Sequence, residues 1–264
     1  MTNPEAQHIS QLRLRIFAGP NGSGKSTVIA SVRGTQLNNR HIDFGYYINA
    51  DDIARQLLHH TFSFQAFDLP VSNERLVHFA SGSGLLDPEL FPVSAFRACY
   101  ELRTAQVVLK DRQYAERLAQ VLARFLRAEM LRLRKRFSFE TVFSHASNLD
   151  IMREAAEAGY KVYLYFVATA SPDINIYRVA FRVTQNGHNV PSDKIVKRYN
   201  NSLNLLYEAA QIAYQAFFFD NSGDAYTLVA HFKKNGDKKE WSDIDARSMP
   251  AWFRRYYLDK VKSQ

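Results

Sequence analysis

The chain has 264 residues, of which 46% are apolar and 23% charged; this is the composition of a globular protein, and no apolar run is long enough to cross a membrane. Its 34 basic residues outweigh 26 acidic ones, and the net charge of +8 favours an anionic ligand, either a nucleotide or a nucleic acid. The single cysteine, Cys99, excludes an internal disulfide, and the opening residues Met1 to His8 lack a basic-then-apolar secretory pattern, so a cytoplasmic location is expected.

The chain is organised around residues 19 to 26, Gly-Pro-Asn-Gly-Ser-Gly-Lys-Ser, which have the GxxxxGK[ST] spacing of a phosphate-binding loop. A strand-like run from Leu12 to Ala18 precedes it and Thr27-Val28-Ile29-Ala30 continues it as a helix, the context such a loop requires. Gly19, Gly22 and Gly24 let the backbone curl around an anion, with Asn21 and Ser23 between them. Lys25 supplies an ammonium for the β- and γ-phosphates at a helix N-terminus, the Ser26 hydroxyl is a Mg²⁺ ligand, and Thr27 completes the set. ATP and Mg²⁺ are the expected cofactors.

Further along, Tyr46 to Ala50 reads as a short buried strand ending at Asp51-Asp52, the carboxyl end where ligands gather in open α/β sheets. Asp51 is read either as a catalytic carboxylate or as the N-cap of the helix that follows. Residues 61 to 93 read as an irregular insertion, broken by Pro70, Pro88, Pro92 and Ser81-Gly82-Ser83-Gly84. A long helical pattern runs from about Ser94 to Lys135, with one break near Asp111. Its apolar stripe is Leu118, Val121, Leu122, Phe125, Leu126 and Met130. Arg124, Arg127, Arg132, Arg134, Lys135 and Arg136 form either its solvated face or a surface for an acidic partner.

Phe137 to Ser144 alternates as a strand and carries Glu140, either a ligand-binding carboxylate or a structural acceptor. Ser147-Asn148 caps a helix ending at Gly159, and Tyr160 to Ala168 is a third interior strand. Ser171-Pro172 opens a helix bearing Arg178 and Arg182 on one face, read as phosphate clamps or as surface ion pairs. It breaks at Asn186-Gly187-His188. Pro191-Ser192 opens another helix, with Arg198. Ala216 to Phe219 is a strand closed by Asp220-Asn221, and the tail forms a hairpin turning at Asn235-Gly236, then an aromatic basic helix. Strands alternating with helices predict an α/β fold with a doubly wound, mainly parallel sheet of the P-loop type, read as one domain with an insertion at 59–97 and an appendage at 224–264.

The motifs GPNGSGKST, INADDIA, SFETVFS, AGYKVYLYFVA, RVAFRVTQNGHNVP, IVKRYNNSL and FFFDNSG, in that order, resemble the zeta-toxin family of P-loop kinases across most of residues 13 to 223. The resemblance implies an ATP-dependent phosphotransferase acting on a hydroxyl of UDP-N-acetylglucosamine, with a protein antitoxin as partner. It implies Asp51 as catalytic base, Asn49, Glu140, Thr141, His188 and Arg198 on the acceptor side, Arg178 and Arg182 in the lid, and Asp220-Asn221 near the nucleotide base. The chain departs from the family at Asn186-Gly187, where two glycines are common, at Thr141-Val142, where a second hydroxyl residue is common, and in its insertion. The alternative is a P-loop ATPase or switch that binds nucleic acid or a protein, with Phe217-Phe218-Phe219-Asp220 as its Walker B strand. A kinase for another small molecule, a nucleoside or an antibiotic, keeps the mechanism and changes the acceptor.

Overall fold

The computed structural model describes residues 11–185, 189–242 and 249–263. In chain order the strands are β1 (Arg13–Ala18), β2 (Gln36–Leu37), β3 (Arg40–His41), β4 (Tyr46–Ile48), β5 (Tyr100–Arg103), β6 (Gln106–Leu109), β7 (Phe137–Thr141), β8 (Lys161–Ala168), β9 (Gln215–Asp220), β10 (Thr227–Asn235) and β11 (Lys238–Trp241). The helices used below are α1 (Lys25–Gly34), α2 (Ala50–Leu58), α3 (Asn73–Gly82), α4 (Val93–Ala98), α5 (Ala115–Arg132), α6 (Ser147–Glu157), α7 (Pro172–Thr184), α8 (Ser192–Asn204) and α9 (Leu206–Ile212). They group into two compact units, residues 1–44 with 141–264, and residues 45–140.

In the first unit, β1 pairs with β8 and β8 with β9, all parallel, and β10 and β11 continue as an antiparallel ribbon. The middle strands read as near-continuous apolar runs because both of their faces are covered: Leu14, Ile16 and Phe17 on β1, and Leu164, Phe166 and Val167 on β8, are fully buried. Each such side chain removed from water contributes about 1.5–3 kcal/mol. The C-terminal segment packs Phe253 and Tyr257 against Phe218 of β9, with ring centroids 5.0 and 5.5 Å apart. The ribbon turns at Asn235 and Gly236, the latter at φ 59°, as the sequence predicts.

In the second unit, β4 and β7 pair in parallel, with Tyr46, Tyr47 and Ile48 opposite Phe137, Ser138 and Phe139. The predicted stripe of α5 is buried throughout, its six residues at most 1% exposed. Two expectations need correction here. The helical pattern from Ser94 is interrupted by a β5–β6 hairpin as well as by the break at Asp111, because Tyr100-Glu-Leu-Arg and Gln106-Val-Val-Leu alternate at period two around Thr104, whose φ is +56°. The insertion is also less irregular than its prolines suggest: α3 runs through it, capped by Ser72 Oγ accepting from the Arg75 amide at 3.3 Å, with Leu76, Val77 and Ala80 buried.

The main strands are thus β1, β8 and β9 in one unit and β4 and β7 in the other, all parallel to a neighbour, plus the ribbon. The class is α/β with mainly parallel strands.

Candidate functional site

The loop between β1 and α1 is shaped by glycines at φ +146°, +74° and +89° for Gly19, Gly22 and Gly24. All three also face close contacts: a Cβ on Gly19 would lie 2.1 Å from the Val167 carbonyl oxygen, one on Gly22 2.6 Å from the Asn175 carbonyl oxygen, and one on Gly24 1.9 Å from Asn221 Nδ2. Lys25 is buried and folds back over the loop, its Nζ donating to the carbonyls of Gly19 at 2.9 Å and Pro20 at 3.1 Å. Ser26 and Thr27 are exposed on the first turn of α1. Ser23 is sealed, and its hydroxyl has no partner among the described residues.

Three outside groups hold this loop. Asn221 Nδ2 donates to the Ser23 carbonyl at 2.8 Å. Asn175, fully buried in α7, donates from Nδ2 to the Asn21 carbonyl and accepts from Thr169 Oγ1. Arg198, on α8, donates to Asn21 Oδ1 at 3.2 Å, so it stands beside the phosphate loop. Tyr199 donates to the Thr169 carbonyl at 2.6 Å, and burial pushes its phenol up to about 12, which keeps it a donor.

Arg178 and Arg182 share a face of α7 but differ in their surroundings. The Arg178 guanidinium donates to the carbonyls of Asn221 at 2.7 Å and Gly223 at 3.0 Å, whereas Arg182 is exposed one turn on. Asp220 is fully engaged: Oδ2 accepts from the Trp252 indole at 2.6 Å and Oδ1 from the Ser222 amide at 3.0 Å. Neither Asn175 nor Trp252 is among the residues expected from sequence. A polar residue on the buried stripe of α7 is the signal that marks Asn175; nothing local marks Trp252.

In the second unit, Glu140, Asn49 and Tyr47 come together. Asn49 Nδ2 donates to Glu140 Oε2 at 3.1 Å, and Tyr47 Oη donates to the same oxygen at 3.3 Å. Asn49 is the N-cap of α2, its Oδ1 accepting from the Asp51 amide at 2.8 Å. Asp51 is therefore not the cap. It lies in the first turn, exposed, and its carboxylate has no partner among the described residues, while Asp52 pairs with Arg55 at 3.1 Å. A cleft of about 330 Å³ lies beside this cluster, lined by Tyr46, Tyr47, Asn49 and Asp52 and, from the insertion, Phe67. Lys135 Nζ fixes that wall through the Phe67 and Asp68 carbonyls, both at 3.2 Å, and Tyr46 donates to the Asp68 carboxylate, which raises the phenol's pKa.

Thr141 donates to Asn148 Oδ1 at 3.2 Å and accepts from the Phe143 amide at 3.1 Å, so it shapes the turn after β7. The α6 cap differs from the expected Ser147-Asn148: the Ser147 amide donates to His145 Nδ1 at 3.2 Å. His188 lies outside the described residues. Among the described residues no helix is long and apolar enough to cross a membrane.

The strand, loop and helix define an α/β protein of the P-loop type with a kinase-like fold. A chain of the PezAT chromosomal toxin–antitoxin system of Streptococcus pneumoniae has this fold, with a TM-score of 0.51 and 14% identity over 94% of the present chain and 79% of that one. So does a chain of the AvrRxo1-ORF1:AvrRxo1-ORF2 complex, crystallised with ATP (TM-score 0.50, 13% identity, 87% of the present chain) and with sulfate ions (0.51, 15%, 91%). The present chain spans 60% and 65% of those two chains. No protein-family model matches the chain, and no curated protein matches it in sequence.

Proposed function

We propose that the protein is an ATP-dependent small-molecule kinase of the zeta-toxin type that transfers the γ-phosphate to a hydroxyl of a sugar nucleotide such as UDP-N-acetylglucosamine. The observation that carries this reading is the phosphate loop, with its three left-handed glycines, buried Lys25 and exposed Ser26, on a kinase-like fold. In it, loop amides and Lys25 bind the β- and γ-phosphates, the Lys25 ammonium exchanging the Gly19 and Pro20 carbonyls for phosphate oxygens. The exposed Ser26 hydroxyl would hold a Mg²⁺ ion, which would supply charge neutralisation at the phosphates.

Asp51 takes the acceptor's hydroxyl proton. The freed oxygen forms a bond to the γ-phosphorus as the bond to the β-phosphate bridging oxygen breaks, and ADP leaves. An exposed carboxylate with no competing partner suits that task. Asn49 and Glu140 orient the acceptor. Arg182 spreads over the migrating charge, while Arg178 keeps the 221–223 turn against the loop. The ATP-bound and two-component neighbours support a nucleotide ligand and a protein antitoxin, and we propose a cytoplasmic location.

The alternative switch reading uses Asp220 as a Walker B carboxylate; both its oxygens already have partners, which favours the kinase. The test is ATP turnover with Mg²⁺ and a panel of UDP-sugars, products being weighed for one added phosphate. The proposal expects a phosphorylated sugar nucleotide whose formation falls by about a hundredfold or more in Asp51→Asn, with ATP affinity kept. ATP hydrolysis without a phosphorylated acceptor would overturn the sugar-nucleotide assignment, and unchanged transfer in Asp51→Asn would remove the base.

A further inference from the structure

Two buried sites show a guanidinium held by acceptors. Arg15 stacks over Tyr163 and donates to the Asp43 carbonyl at 2.9 Å and to Tyr165 Oη at 3.2 Å. On α5, buried Glu129 is held by Arg75 at 2.6 Å and Arg132 at 3.0 Å.

Arg127, one turn earlier on the same helix, is different. Its guanidinium lies over the Phe139 ring, 4.2 Å from the centroid, and its Nε is sealed from solvent without an acceptor. Among the described residues neither Arg127 nor Arg124 has a hydrogen bond or a carboxylate partner. Spaced i, i+3, they repel each other on one helix face, and burial first, then Arg124, lowers the Arg127 pKa to about 10. A guanidinium that only stacked and hydrated would gain nothing from a second uncompensated arginine beside it.

The position of the pair is also fixed. The link from α5 to β7 is short, and helix and strand rise by about 1.5 and 3.3 Å per residue. Stepping back from Arg132 to Arg127 therefore advances as far as stepping forward from Phe137 to Phe139. Arg124 then lies toward the carboxyl end of β7, the strand end where ligands bind, on the face of Phe139 rather than that of Glu140.

We propose that Arg124 and Arg127 form a subsite for a phosphate-type oxyanion, supplied by a ligand rather than by the chain. Nε stays behind on the ring, and the terminal nitrogens, which are not sealed, present a planar fork to two oxygens. Resting on the kinase reading, the oxyanion is the diphosphate of the acceptor; without that reading it is free phosphate or pyrophosphate.

The experiment uses the full chain carrying Lys25→Ala, which weakens anion binding at the phosphate loop, with arginine side chains labelled for NMR. Inorganic pyrophosphate, UDP-N-acetylglucosamine and neutral N-acetylglucosamine are titrated in turn, and the Arg127 Nε–H resonance is followed. The resonance should move with the first two and not with the third, and Arg124→Gln and Arg127→Gln should each weaken binding by about tenfold. Arg124→Gln leaves the ring contact intact and so serves if Arg127→Gln does not fold. No movement with pyrophosphate up to roughly 10 mM, or equal affinity in Arg124→Gln, would overturn the subsite. Movement with pyrophosphate alone supports the subsite and overturns its assignment to the acceptor, and that readout stands whether or not the protein transfers phosphate.

Discussion

The phosphate loop of the first unit and the Asn49–Glu140 cluster of the second are built in opposite ways. The loop is fixed from many sides: three positive-φ glycines, each facing a backbone or amide contact, and tethers from Asn175, Arg198 and Asn221. The cluster hangs on hydrogen bonds of 3.1 to 3.4 Å among half-exposed side chains, next to an exposed Asp51. On the kinase reading proposed above, the donor phosphates have one geometry in every turnover and call for a rigid cradle, whereas the cluster assigned to the acceptor is left adjustable.

The contrast breaks most sharply at Gly24. Gly24→Ala places a methyl 1.9 Å from Asn221 Nδ2 at φ +89°, so ATP affinity should drop by more than about tenfold and stability by about 1–3 kcal/mol. Gly34→Ala, at the open end of α1 with nothing within 4 Å, should instead leave ATP binding unchanged and raise stability by about 0.4–1 kcal/mol. Calorimetric titration and thermal melts of both variants check this; equal effects would mean the loop is no tighter than the helix end. Asn49→Ala removes a cap and one of the donors to Glu140, so we expect about 1 kcal/mol lost and a severalfold higher acceptor KM, with the ATP KM unchanged. A matching rise in both KM values would erase the distinction between the regions.

A last effect belongs to β11 and touches neither binding constant. Burial, with Lys234 second, lowers the Lys239 ammonium to about 8. Its folded pKa is below the unfolded one, so the unfolded chain binds more protons between them. Stability should therefore rise as pH goes from about 8 toward 10.5, a slope that Lys239→Met removes in denaturant melts.

Much of this was legible in the sequence because the signals are local. Gly19 to Thr27 declares its geometry by spacing, and β1, β8 and β9 by uninterrupted apolar runs. The β5–β6 hairpin was hidden because Leu102, Ala105 and Leu109, at i, i+3 and i+7, also satisfy a helical stripe, and only the turn at Thr104 distinguishes the two. The cap of α2 is ambiguous in the sequence because two aspartates, themselves good caps, crowd its first turn beside Asn49. The tethers of Asn175 and Trp252 join positions far apart in the chain: a polar side chain on a buried stripe marks Asn175 but not its partner, and no local pattern marks Trp252.

One of those tethers has an optical consequence. Trp252 donates its indole hydrogen to Asp220, whose neighbour Asn221 grips the Ser23 carbonyl inside the phosphate loop. An indole two links from the triphosphate cradle is a fluorophore wired to its occupancy. With Trp241→Phe silencing the other indole, Trp252 emission should follow ATP arriving and leaving in real time, giving the on- and off-rates of the nucleotide without any label.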